Sequence, residues 1–175
     1  MKHFLTITNI QKDEKKSFTK EVKDYIEQKG GTCLCYYSSG NKERVEQIDP
    51  KQIPEGVECI LVLGGDGTLI RAARDLYHWN IPMLGVNLGT LGFLADVNLA
   101  DLSKTLDLLL KDQYQVENRI MLTAEVYKQG EKAATYIALN DFNINRCGAS
   151  RVIGLKVGIN GSTIDCYRAD GVIVC

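Results

Sequence analysis

The sequence predicts an α/β protein in which a domain with a parallel β-sheet is followed by part of an antiparallel β domain. Up to about residue 115, short apolar runs alternate with amphipathic helical segments, which is the pattern of βαβ units. Beyond that point the helical period disappears, and short β-prone segments are joined by turns such as Asn160-Gly161. We therefore place an α/β domain at residues 1–115 and the beginning of an all-β domain at residues 116–175.

The N-terminal βα unit is predicted from two changes of pattern. Residues 3–8 are apolar and β-prone, and they predict the first strand. A charged run at residues 12–16 is expected to be a solvated helix start, and apolar residues then recur at helical spacing between residues 18 and 26. The pair Gly30-Gly31 ends this helix, and residues 32–37 predict the second strand.

The rest of the first domain repeats this alternation. Residues 59–63 form a continuous apolar run bounded by glycine, which is typical of a parallel strand buried on both faces. A helix is predicted at residues 68–76 and a strand at residues 82–86. The last helix is marked by leucines at helical spacing up to residue 110, and Asn98 is its expected N-cap.

The second domain is predicted to consist of strands and tight turns. The Asn160-Gly161 pair is the strongest of the hairpin signals. Because residue 175 lies inside an apolar strand with no polar tail after it, we expect the chain to be a fragment of a longer protein. The predicted strands are residues 120–127, 133–139, 154–159, 163–167 and 172–174.

The composition excludes several classes of function. The 175 residues carry a formal net charge of −1, so there is no basic field to gather nucleic acid or an anionic membrane. No apolar run approaches the roughly 20 residues that a membrane span needs, and the N-terminal segment is too polar and too short for a secretory signal. We therefore expect a cytoplasmic protein that binds neither nucleic acid nor membrane.

The chain contains six cysteines, and none of them are spaced as a C-x-x-C pair. Because several lie in apolar runs, as Cys59 does, they are expected to be buried reduced thiols. The sequence contains two histidines, His3 and His78, as further possible zinc ligands. A structural zinc site is therefore not expected, and we assign no metal ligands.

The segment that carries the chemistry runs from the apolar strand at residues 59–63 into Gly64-Gly65-Asp66-Gly67-Thr68 and a helix. Glycines let the backbone turn sharply and approach a ligand closely, and the N–H groups at a helix N-terminus bind phosphate. A carboxylate would ordinarily repel phosphate. Asp66 therefore needs another role, such as holding a metal or accepting a proton from a hydroxyl nucleophile. The alternative is that Asp66 merely caps the helix.

Two common nucleotide-binding patterns, G-x-x-x-x-G-K-[ST] and G-x-G-x-x-G, are absent from the sequence. Residues 64–68 instead resemble the glycine-rich motif of the NAD kinase family, which 6-phosphofructokinases and diacylglycerol or sphingosine lipid kinases share more loosely. Three further segments resemble the same family in the right order, namely residues 85–94, 138–141 and 167–174. The resemblance covers essentially the whole chain, and residues 85–94 are its most specific part.

The resemblance implies ATP-dependent phosphorylation of the adenosine ribose 2′-hydroxyl of NAD to give NADP, with Mg²⁺ accompanying ATP. It implies that Asp66 is the general base or the orienter of the nucleophile, and that Phe93 lies against the adenine. The remaining implied residues are Gly65 and Gly67 beside the substrate, Asn140 and Asp141 on the NAD hydroxyls, Arg168 and Asp170 near the nicotinamide end or a subunit contact, and Gly64, Thr68, Asn87 and Gly89 in the phosphate loops.

Two departures from the family pattern affect these expectations. Asp141 stands where many members have glutamate, which shortens the reach of the carboxylate by about one methylene. The chain also ends before the threonine-rich loop that the family places after residues 167–174, so we expect weak or no catalysis from residues 1–175 alone. For the full-length protein, the resemblance implies a homo-oligomer, either a dimer or a tetramer.

Two other functions stay open. One is a lipid or sugar kinase that shares the Gly-Gly-Asp-Gly core, although such kinases are not expected to share residues 85–94. The other is a non-catalytic module that uses the same loops to sense NAD or NADP. ATP and polyphosphate remain alternative donors, and NAD and NADH remain alternative acceptors.

Overall fold

A computed structural model describes residues 1–38, 53–89, 92–95, 97–148 and 152–175. The chain divides into two compact units, Met1–Asn118 and Arg119–Cys175. The first unit contains a parallel sheet with helices, and the second contains antiparallel strands. The predicted fold class, α/β followed by antiparallel β, is confirmed.

The first unit alternates strands and helices, in the order β1 (His3–Asn9), α1 (Ser17–Gln28), β2 (Thr32–Ser38), β3 (Cys59–Gly64), α2 (Asp66–Leu76), β4 (Met83–Asn87), β5 (Val97–Asn98) and α3 (Leu102–Leu110). The strands form a five-stranded sheet with the order β2-β1-β3-β4-β5, in which every neighbouring pair is parallel. Two single turns of 3-10 helix, Tyr77–Trp79 and Leu99–Asp101, follow α2 and precede α3.

The central strand β3 is buried along its whole length, as its continuous apolar run predicts. Its alternate side chains serve two cores on opposite faces of the sheet. Leu61 and Leu63 pack with α1 and α3, whereas Ile60 and Val62 pack with α2. The sheet is thus covered by helices on both faces, and the loops at the carboxyl ends of its strands share one edge.

The segment before α1 is exposed, as the charged run predicted, except at Asp13. Asp13 is only 3% exposed. Its carboxylate accepts hydrogen bonds from the backbone N–H groups of Phe18 (3.3 Å) and Thr19 (2.9 Å), and from the Thr19 hydroxyl (2.7 Å). Burial raises the pKa of Asp13, but the bonds from Thr19 and Phe18 outweigh it and hold that pKa below its ordinary value. Asp13 therefore acts as the cap of the helix.

Replacing Asp13 with alanine is expected to destabilise the chain by about 2 kcal/mol, because a helix cap and the partner of a buried hydroxyl are lost together. The stabilisation is present above the carboxyl pKa of the unfolded chain and is lost as the pH falls through the lower folded value. Urea unfolding at several pH values measures both effects. The exposed neighbour Glu14, changed to alanine, is the control, and equal midpoints for the two variants would contradict the capping role.

The asparagine expected to cap the last helix does so through an intermediate turn. The side-chain oxygen of Asn98 accepts a hydrogen bond from the backbone N–H of Asp101 (3.2 Å). This bond closes the 3-10 turn Leu99–Asp101, and α3 follows directly. The predicted cap is confirmed, although the first turn that it serves is 3-10 rather than α.

The second unit consists of antiparallel strand pairs, as predicted, with one strand that the sequence analysis missed. The missed strand is β8 (Phe142–Asn145), which lies between the predicted strands at residues 133–139 and 154–159. The described strands form three two-stranded sheets, β6–β7, β8–β11 and β9–β10. They are β6 (Leu122–Lys128), β7 (Glu131–Ala138), β8 (Phe142–Asn145), β9 (Ile153–Ile159), β10 (Ser162–Ala169) and β11 (Gly171–Val174).

All six cysteines are free thiols, but the expectation that they are buried is wrong for half of them. Cys33 and Cys59 are buried in the first unit, and Cys35 is half-buried. The remaining three lie in the second unit, where two-stranded sheets leave most side chains facing water: Cys147, Cys166 and Cys175. None of the helices in the described part of the chain combines the length and the apolar composition that a membrane crossing needs.

Candidate functional site

Three loops meet at one edge of the parallel sheet because β1, β3 and β4 are neighbours and end at the same level. Thr8 of β1 pairs with Leu63 of β3, and Gly64 pairs with Asn87 of β4. The backbone N–H of Leu88 donates to the carbonyl of Gly64 (2.8 Å), so the two glycine-containing loops leave the sheet side by side. The carboxyl ends of parallel strands are where open α/β sheets bind ligands.

Asp66 is the first residue of α2, and its carboxylate is held by main-chain groups from the segment after β4. One oxygen, Oδ2, accepts a hydrogen bond from the backbone N–H of Phe93 (2.7 Å). The other, Oδ1, accepts from the backbone N–H groups of Leu94 and Ala95 (both 3.2 Å). The alternative that Asp66 merely caps α2 is therefore incomplete, since these three bonds reach across 27 to 29 residues of sequence.

These contacts keep the carboxylate ionised. The N–H of Phe93 is the largest influence and lowers the pKa of Asp66, and desolvation opposes it. The N–H groups of Leu94 and Ala95, together with the positive charge of Lys12, lower it further. The pKa of Asp66 therefore lies below its ordinary value, which makes this side chain a persistent hydrogen-bond acceptor and a weak base.

Gly92 makes this arrangement possible. A Cβ atom added at residue 92 would overlap the carboxylate of Asp66. The backbone of residues 92–95 therefore lies directly against the acid, which only a residue without a side chain allows.

The other predicted phosphate-loop residues shape the two turns. A Cβ atom at Gly64 would lie 2.8 Å from Cβ of Thr68, so these two residues pack directly on each other. The backbone N–H of Thr68 donates to the carbonyl of Gly65 (2.9 Å), which closes the first turn of α2. In the second loop, the buried side chain of Asn87 accepts from the backbone N–H of Gly89 (2.8 Å).

The predicted substrate residues of the first unit are close to this acid in different ways. Gly65 directly precedes Asp66, and Gly67 is exposed in the first turn of α2. The ring of Phe93 is 98% exposed, while its backbone N–H holds Asp66. The sequence analysis assigned Phe93 through its ring, and the structure adds a role for its main chain.

One residue at this edge was missed by the sequence analysis. The ammonium nitrogen of Lys12, which follows β1, would lie 2.9 Å from a Cβ atom at Gly65 and 3.5 Å from one at Gly89. It thus lies against both glycine loops. Lys12 was overlooked because the whole charged run at residues 12–16 was assigned to a solvated helix start. Its position just after β1, a strand that neighbours β3, could have indicated a place at the site.

Within the second unit, the predicted residues do not form one cluster. Asn140 and Asp141 lie between β7 and β8, where the Asn140 amide donates to the Asp141 carboxylate (2.9 Å). Asp170 pairs with Arg146 (3.6 Å) at the opposite end of the β8–β11 sheet. Arg168 is exposed on β10.

The family model described as the ATP-NAD kinase N-terminal domain matches residues 4–114. The chain belongs to the NAD kinase family. This match covers β1 to α3 and so includes Asp66, both glycine loops and Lys12.

Curated relatives from this family match the chain over nearly its whole length. The NAD kinase of Lachnospira eligens is 40% identical over 99% of this chain and 60% of that protein, and the NAD kinase of Agathobacter rectalis is 44% identical over the same shares. The NAD kinase of Lachnoclostridium phytofermentans is 42% identical over 99% of this chain and 61% of that protein. The chain spans about three fifths of the length of these relatives.

A solved structure shares the fold. The crystal structure of yeast NADH kinase complexed with NADH matches 98% of this chain and 57% of that chain with a TM-score of 0.69. The two sequences are 17% identical, so this likeness supports the fold alone.

Proposed function

We propose that the chain belongs to an enzyme that transfers the terminal phosphoryl group of ATP to the 2′-hydroxyl of the adenosine ribose of NAD, giving NADP. The observation that carries this proposal is the carboxylate of Asp66, held by three backbone N–H groups between two glycine loops at the ligand-binding edge of the sheet. Membership of the NAD kinase family supports the choice of reaction.

Asp66 is better suited to orient the ribose hydroxyl than to remove its proton early. A carboxylate has about four lone-pair positions, and backbone N–H groups take three of them. One position is left for the substrate hydroxyl. Because the pKa of Asp66 is lowered, it is a weak base, and the loose transition state of phosphoryl transfer asks mainly for alignment of the attacking oxygen.

The phosphate groups of ATP are proposed to lie against the backbone of residues 64–67 and 87–89. The N-terminus of α2 contributes backbone N–H groups and the positive end of the helix dipole there. When it is bound with ATP, Mg²⁺ spreads the charge of the transferred group. In the part of the chain that the structure describes, no three His, Cys, Asp or Glu side chains form a metal cluster. Because the one remaining acceptor position of Asp66 is proposed for the substrate hydroxyl, phosphate oxygens and waters would supply most of the ligands of the ion.

The remaining residues complete the proposal on the acceptor side. The exposed ring of Phe93 is suited to stack on adenine. Asn140 and Asp141 are proposed to bind NAD hydroxyls, and Arg168 and Asp170 to serve the nicotinamide end or a subunit contact. Homo-oligomerisation stays a prediction.

The proposal is tested by incubating the chain, and any longer product of the same reading frame, with ATP, Mg²⁺ and NAD. We expect the longer product to form NADP, detected by an NADP-specific dehydrogenase, and residues 1–175 alone to form it slowly or not at all. Replacing ATP with polyphosphate, or NAD with NADH, identifies the donor and the acceptor.

Two results would contradict this function. Consumption of ATP with a sphingoid base, diacylglycerol or fructose 6-phosphate, but not with NAD, would indicate a lipid or sugar kinase. Binding of NAD or NADP by every form of the protein, without turnover by any of them, would indicate a sensing module.

A further inference from the structure

The loop after β1 holds Lys12 from both sides. On the strand side, the carbonyl of Asn9 accepts hydrogen bonds from the backbone N–H groups of Lys12 (3.0 Å) and Asp13 (3.2 Å). The side-chain oxygen of Asn9 accepts a hydrogen bond from the backbone N–H of Gln11 (3.0 Å). On the helix side, the buried carboxylate of Asp13 is fixed to the start of α1. The backbone at Lys12 is therefore set by the fold, although its side chain is exposed.

The side chain of Lys12 reaches both glycine loops, and its ammonium group lies closest to Gly65. A Cβ atom at Gly65 would lie 2.9 Å from Nζ of Lys12, closer than real Cβ contacts. A Cβ atom at Gly89 would lie at 3.5 Å, in ordinary contact. Gly65 precedes α2, and Gly89 follows β4. The ammonium group thus lies where the two loops face each other.

The ammonium group of Lys12 lies within electrostatic range of the Asp66 carboxylate, whose pKa it helps to lower. That carboxylate is already held by three backbone N–H groups, so Lys12 can take a further anion. Among the ion pairs that the structure describes, none within 4 Å includes Lys12. Other lysines of the same run are used differently, since Lys16 lies over the ring of Tyr37 at 4.3 Å. A cation beside two glycine loops and a helix N-terminus is the arrangement that binds a chain of phosphates.

We propose that Lys12 is a phosphate-binding residue, whose ammonium group bridges the loops at residues 64–67 and 87–89 through the oxygens of a polyphosphate chain such as that of ATP. This inference rests on the proposed function for the identity of the nucleotide, but its geometry is independent of turnover. Lysine acts here as a mobile point charge, so it can follow the phosphates during transfer.

The test is a titration of inorganic triphosphate and of ATP into the ¹⁵N-labelled chain, followed at the backbone amides of Gly65 and Gly89. We expect both amides to shift, and the replacement of Lys12 by alanine to weaken binding at least tenfold. Replacement by arginine is expected to retain most of the affinity. Lys15, an exposed lysine of the same run, is the matched control when changed to alanine. Unchanged amide spectra and melting temperatures of the variants show that folding is preserved.

Three results would overturn the inference: no binding of triphosphate by the unaltered chain, the same affinity after the loss of Lys12, or an equal loss after the change at Lys15. Failure of the proposed function looks different, since triphosphate binding would still depend on Lys12 while NAD is never phosphorylated. Conversely, NADP formation with an unchanged KM for ATP in the alanine variant of Lys12 would contradict the role of Lys12 and leave the proposed function intact.

Discussion

Replacing Asp66 with asparagine in the full-length protein is expected to lower kcat for NADP formation by roughly 100-fold or more, the range for loss of a group that handles the transferred proton. An asparagine amide offers one acceptor oxygen, whereas the carboxylate receives bonds from Phe93, Leu94 and Ala95 on two oxygens. The substitution therefore removes both the charge beside the substrate hydroxyl and part of the contact with residues 93–95. Steady-state kinetics and amide exchange at residues 93–95 measure the two effects separately.

The control for this substitution is Asp24→Asn, at an exposed position of α1. It is expected to leave kcat within the error of the assay. The lowered pKa of Asp66 adds a pH dependence, because the active ionised form persists until the pH falls below the ordinary range of aspartate. Full turnover by the asparagine variant, with residues 93–95 still protected, would show that the carboxylate is not used in the reaction.

Changing Gly92 to alanine is the second substitution with a large expected effect. The added methyl group would overlap the Asp66 carboxylate, so the segment at residues 92–95 or the acid has to move. We expect kcat to fall by a factor similar to that of Asp66→Asn, since misplacing a catalytic group by about 1 Å costs on the order of 100-fold. Kinetics at saturating ATP and NAD measure this loss.

The matched control for Gly92 is Gly154→Ala in β9, where an added Cβ atom meets no other atom within 4 Å. A double variant gives the sharper test, because Gly92 is argued to act through Asp66. The combined substitutions are expected to cost little more than the larger of the two single effects. Independent, multiplying losses would mean that Gly92 acts elsewhere.

The part of the site that depends on local sequence was predictable. A continuous apolar run followed by glycines and a helical pattern places Asp66 at the end of a buried strand, and the structure has β3 and α2 there. The alternation of strands and helices likewise predicts a parallel sheet whose loops meet at one edge.

The contacts between distant segments were not predictable in the same way. Nothing in residues 64–68 indicates that the N–H groups of residues 93–95 will hold the acid. Every residue type except proline has a backbone N–H, so the sequence does not show which of these groups will donate. Lys12 and Asp13 were hidden in a charged run, because such runs are usually solvated. Asp13 is buried only because it finds donors at the start of α1.

In the second unit, local pattern predicted most strands but not the relation between the site residues. The Asn-Gly turn predicted the β9–β10 hairpin. Family resemblance alone suggested Asp141 and Asp170, and the pairing of β8 with β11 puts them at opposite ends of one small sheet. A four-residue strand such as β8 is too short to show a clear alternation, so sequence alone does not set this separation.

The groups that donate hydrogen bonds to Asp66 belong to the main chain. A substitution of the neighbouring exposed side chain can therefore change which ligand binds without displacing the carboxylate. The exposed side chain of Phe93 can be exchanged without removing a bond to the acid, as long as the new residue is not proline, which has no N–H to donate. The exposed ring at residue 93 can thus be retuned for a different base or ring system while the reacting centre stays unchanged.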